Sequence, residues 1–115
     1  MSAWLSAFVV TQLAEAPVYA ASQRPGRAWP AALGWGLLPS ALTHPVLWAT
    51  WGWWPPSLDP FTQVLWAESL VVAVEGVVWS RVHGRSLAWG LRVSLLANGL
   101  SVLVGEALRA LVGWP

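Results

Sequence analysis

The sequence predicts an all-α fold: a polytopic membrane protein whose four transmembrane helices pack as an antiparallel bundle. Three observations carry that expectation. Of the 115 residues, 57% are hydrophobic and only 10% are charged, whereas a soluble domain carries about 25% charge. Four apolar stretches each reach the roughly 20 residues needed to cross a bilayer. The breaks between them are short and rich in turn residues, so successive helices reverse direction. The chain reads as a single integral membrane domain over residues 1–115.

The same composition excludes other classes. Eleven Trp residues argue against disorder. The absence of Cys excludes a disulfide scaffold and a thiolate zinc site. A net charge of +1 offers no basic field for nucleic acid.

The elements follow in order. The first helix is expected over about residues 3–21. It has no basic flank and its first charge is the acid Glu15, so it reads as a span rather than a cleaved signal. Ser22-Gln23-Arg24-Pro25-Gly26-Arg27 breaks the chain. The second helix is expected over about 29–54, punctuated by Pro30, Pro39 and Pro45. Pro55 through Pro60 end it, because Pro lacks the donor and clashes with the preceding turn. Asp59-Pro60 suits the start of a third helix over about 61–82. Arg81 to Ser86 form the last break, and Ser86 is placed to cap a fourth helix over about 87–111.

Arg placement sets an orientation. Arg24, Arg27, Arg81 and Arg85 lie in the first and third loops, which are expected to face the cytoplasm. Both termini then face outward. Arg109 opposes this bias, but Glu106 lies three residues before it and can pair with it. Trp4, Trp51, Trp53, Trp54, Trp66 and Trp114 fall near the outer interface, and Trp29, Trp79 and Trp89 near the inner one. The bias toward Ala, Arg, Gly, Pro and Trp, with no Lys, points to a high-GC bacterium and hence to its inner membrane.

Polar residues inside the spans are the informative feature. Each ionised group at bilayer depth costs about 2.5–3.5 kcal/mol on insertion scales, so such groups face inward and find partners. A rise of about 1.5 Å per residue sorts them into two layers. Glu15, Glu75 and Arg92 form an inner layer, with Glu75 and Arg92 expected to pair. His44, Glu68 and Asn98 form an outer one, near Gln12 and Thr43. Ser94, Asn98, Ser101 and Gly105 make one stripe on the fourth helix, expected to pack on the acidic face of the third. Three carboxylates face one nearby Arg, so at least one acid is expected to carry a proton or hold a cation. A kink at Pro45 would aim His44 into the bundle.

The ordered pattern Gln12-x-x-Glu15-x-Pro17-x-Tyr19, Thr43-His44-Pro45, Glu68 and Glu75, then Ser94-x-x-x-Asn98-x-x-Ser101 resembles that of a group of small bacterial four-helix membrane proteins. The resemblance covers most of the chain and implies the fold but no activity. A narrower stretch, Leu13-Ala14-Glu15-Ala16, resembles the first-helix motif of the small multidrug resistance transporters. That resemblance implies proton exchange for a cationic substrate at Glu15, within a dimer. Glu68, Glu75, Thr43-His44-Pro45, Arg92 and Asn98 depart from that family's pattern.

Function is therefore expected to be proton- or cation-linked transport or coupling by an oligomer. Glu15, His44, Glu68 and Glu75 are the proton- or cation-binding candidates. Gln12, Thr43, Arg92, Ser94, Asn98 and Ser101 form the supporting polar network. The residues name no metal and no cofactor beyond a bound cation. The bilayer, and a second copy or another membrane protein, are the expected partners. An accessory subunit of a larger membrane complex is the alternative. An intramembrane enzyme ranks third, because the chain has no His-Glu-x-x-His, no Gly-x-Ser-x-Gly and no Cys nucleophile.

Overall fold

The structure, a computed structural model, describes residues 2–114. Those residues are helical throughout, with short connections and no strand. Helix α1 spans Ala3–Ala21, α2 Trp29–Gly36, α3 Leu38–Thr50, α4 Pro60–His83 and α5 Leu87–Val112. A 3₁₀ turn, Trp51–Trp53, extends α3. The helices form a ring in which α5 packs along α4 and α1, and α3 closes the circuit between α1 and α4.

The capping chemistry is local. Ser2 accepts from Leu5 N at the start of α1, and Ser86 accepts from Trp89 N at the start of α5. Asp59 accepts from both the backbone and the hydroxyl of Thr62 at the start of α4. Those hydrogen bonds hold its carboxyl below the usual carboxylate range. Gly84 ends α4 in the left-handed conformation, at φ 58°.

The second predicted span is divided rather than continuous. It breaks at Leu37, between α2 and α3. Pro39 occupies the first turn of α3, where its missing N–H costs nothing. Gln12 Nε2 donates to the Leu37 carbonyl at the break. Gly36 is needed there too, because a Cβ would meet the Ala16 carbonyl of α1. The same device joins α4 to α5: a Cβ on Gly90 would fall onto the Gly76 carbonyl. The two backbones touch, which fixes the depth of Glu75 beside α5.

Burial is inverted relative to a soluble bundle. Leu13, Trp53, Phe61, Leu96, Leu103 and Leu111 are exposed. The centre instead holds Glu15, Tyr19, Ser40, Glu75, Ser94 and Asn98, each at most 2% exposed. Trp79, Ala97, Ala67 and Pro39 are apolar residues buried as deeply.

Candidate functional site

Two carboxyl groups organise the centre. Glu75 of α4 takes three donors: Tyr19 Oη at 2.6 Å, Asn98 Nδ2 at 2.8 Å and the Thr43 hydroxyl. Glu15 of α1 takes two: the Ser40 hydroxyl, and Ser101 Oγ at 2.7 Å. Helix periodicity explains the pairing. Ser40 and Thr43 lie three apart on α3, and Asn98 and Ser101 three apart on α5, so each pair shares a face. Each acid is thus held by one residue from α3 and one from α5. Tyr19 lies four residues after Glu15 and reaches across from α1 to Glu75.

Among the described residues no cation meets these acids, and the only ion pair is Arg109 with Glu106, at 2.7 Å on the exposed surface. The sequence anticipated that pair. Arg92 was expected beside Glu75 and is not there. It is exposed, because Val93 and Ser94, the next two positions of α5, take the inward face. The inner layer accordingly loses Arg92 and gains Asn98, which the depth count had placed with His44 and Glu68. The stripe on α5 is also divided. Ser94 Oγ donates to the Val72 carbonyl of α4 and Asn98 reaches Glu75, whereas Ser101 turns to Glu15 on α1.

Two of the hydroxyls have a second acceptor in reach. Thr43 Oγ1 lies 3.3 Å from the Pro39 carbonyl, and Ser101 Oγ 3.0 Å from the Asn98 carbonyl. An ionised carboxylate can only accept, so each hydroxyl donates to it. A protonated carboxyl can instead donate to that hydroxyl, which turns its own proton to the backbone carbonyl. Either protonation state leaves the buried groups paired, and so escapes the roughly 1–3 kcal/mol cost of an unsatisfied one.

His44 and Glu68 stand apart from this centre. They line a cavity of about 370 Å³ that extends from Glu106 and Arg109 down to Thr11 and Ser101. An adjoining hollow of about 230 Å³ shares Ser101 and reaches Ala3 and Trp114, at the end bearing both termini. His44 Nε2 lies 3.2 Å from Thr11 Oγ1, while its buried Nδ1 finds no partner among the described residues. Gln12 Oε1 is likewise unpaired. Glu68 makes no hydrogen bond among the described residues, and no three His, Asp or Glu side chains there are placed to hold a metal.

Aromatic rings pack at the opposite end, beside a hollow of about 510 Å³ lined by Val77, Ser80, Arg81, Gly84, Arg85 and Leu87. The Tyr19 and Trp79 rings lie 4.8 Å apart, and Trp79 Nε1 donates to Ser22 Oγ at 2.9 Å. His83 packs edge-on against Trp79 at 4.1 Å and faces Trp89 at 6.0 Å.

Tyr19, Ser40 and Thr11 were not among the residues expected to build the site. Tyr19 at four after Glu15 and Ser40 at three before Thr43 were readable from helical spacing. Thr11 gave no such signal. No protein-family model, curated protein or solved structure matches the chain.

Proposed function

We propose that the chain is an integral protein of the bacterial inner membrane, in which Glu15 and Glu75 take up and release protons to drive transport or coupling. One observation carries the reading: two carboxyls sealed in the core, held by five side-chain donors and, among the described residues, by no cation. Charge buried at that depth is neutralised by a partner or a proton. The switchable Thr43 and Ser101 hydroxyls favour the proton. Among the described residues no three His, Asp or Glu side chains converge as a chelated metal requires.

The membrane assignment is supported by the inverted burial. It is further supported by α4 and α5, which are long and apolar enough to span. The longest dimension of the fold is 45 Å, close to the roughly 40–45 Å of a bilayer with its headgroups. Four spans require α1, and α2 with α3, to cross as well. Both termini then lie outside, and Arg24, Arg27, Arg81 and Arg85 inside. So thin a bundle leaves little room for a pathway, and a second copy is the partner this reading calls for.

The test is a pH gradient imposed on proteoliposomes. The wild-type protein collapses the gradient, alone or with its co-substrate. Glu15→Gln and Glu75→Gln do not. Wild-type vesicles as tight as empty ones, across the co-substrates tried, would count against the reading.

A further inference from the structure

The two acids differ in what lies next to them, and from that difference we infer that protons reach the core from one side only, through Ser101 to Glu15. The inference rests on the proton-exchange reading above and adds its route.

Ser101 is half-buried and lines both cavities that open toward the end bearing the termini. Its hydroxyl is 2.7 Å from Glu15 Oε1. It is the residue shared by the cavity walls and the Glu15 carboxyl. Glu75 has no such neighbour. Of its donors, Tyr19 and Asn98 are sealed in the core, and Thr43 borders a separate hollow of about 270 Å³ between α3 and α4 with almost wholly apolar walls. Beyond Tyr19, the Trp79, His83 and Trp89 rings pack together, and the hollow of about 510 Å³ at that end is lined by no residue hydrogen-bonded to either acid.

The step is a relay. A hydronium in the cavity gives a proton to Ser101 Oγ as the Ser101 proton passes to Glu15 Oε1. One proton moves inward and no other bond changes. On release the order reverses, and Ser101 is held in the interval by the Asn98 carbonyl. Glu68 of α4 and His44 of α3 face the same cavity and Glu106 and Arg109 of α5 stand at its mouth, so these groups set the local proton supply. Glu75 and Tyr19 face Glu15 from within the core.

Infrared spectroscopy of the reconstituted protein tests the route. The carboxylic C=O bands are assigned with Glu15→Gln and Glu75→Gln, and their shift is followed after a jump from H₂O to D₂O. Glu15 exchanges faster than Glu75 in the wild type. Ser101→Ala slows Glu15 by on the order of a hundredfold, the low end of what a positioned proton-transfer group contributes, and leaves Glu75 unchanged. Ser101→Thr restores the rate. Equal rates for the two acids in the wild type overturn the route without any variant. So does an unchanged Glu15 rate in Ser101→Ala. A wild type with no exchangeable carboxylic band at all overturns the proton reading itself, which separates the two failures.

Discussion

Glu68 and Glu75 lie two turns apart on one helix, yet they live in different surroundings. Glu75 meets three donors in the closed core. Glu68 meets none among the described residues and faces a cavity. The same contrast divides His44 from Tyr19. The core resembles a satisfied polar network, in which each member fixes its neighbours. The cavity resembles an approach, where polar atoms remain free for water or a ligand. Two neighbouring regions of one small bundle thus differ in how their polar groups are paired.

The largest expected effect breaks the core side of that contrast. Glu75→Ala removes the acceptor of Tyr19 Oη, whereas Thr43 and Asn98 keep the Pro39 and Ser94 carbonyls. One stranded buried donor at roughly 1–3 kcal/mol, with the cavity the side chain leaves, predicts a loss of about 3 kcal/mol. Glu68→Ala strands nothing and is expected to cost under about 1 kcal/mol. Reversible unfolding in mixed micelles reads both, and equal losses would erase the distinction.

The next effect uses α5, which runs through both regions. Gly90→Ala forces a Cβ onto the Gly76 carbonyl, and overpacking of that kind costs about 1–3 kcal/mol. Gly105 lines the cavity with open space around its Cβ position, so Gly105→Ala is expected to be near neutral. The smallest effect concerns Arg92. An exposed side chain with no partner among the described residues predicts a change within about 0.5 kcal/mol for Arg92→Ala, in the same unfolding experiment. A loss of several kcal/mol would restore the ion pair that the structure does not contain.

Much of the helical layout was legible because caps and breakers act locally. Ser86, Asp59-Pro60 and Gly84 act within one turn of chain, and the structure uses each of them. The partners inside the core were less legible. Counting rise along straight helices gave depth but not rotation about the axis. Arg92 and Asn98 are six apart, more than a turn and a half, and the count could not tell which of them faces Glu75. The break at Leu37 compounded this. Spacing puts Ser40 on the face of Thr43, but only the broken helix shows that it reaches Glu15. The contact between α4 and α5 backbones, set by Gly76 and Gly90, is a tertiary fact with no signature beyond two glycines.

The central claim is that Glu15 and Glu75 are sites of proton exchange rather than permanently charged or permanently neutral struts. A pH titration of the carboxylic infrared bands in lipid bilayers tests it most directly. If both acids exchange protons, bands appear and disappear reversibly with pH, one lost in Glu15→Gln and another in Glu75→Gln, with Glu68→Gln removing neither. Bands that ignore pH throughout the range in which the protein stays folded would contradict it.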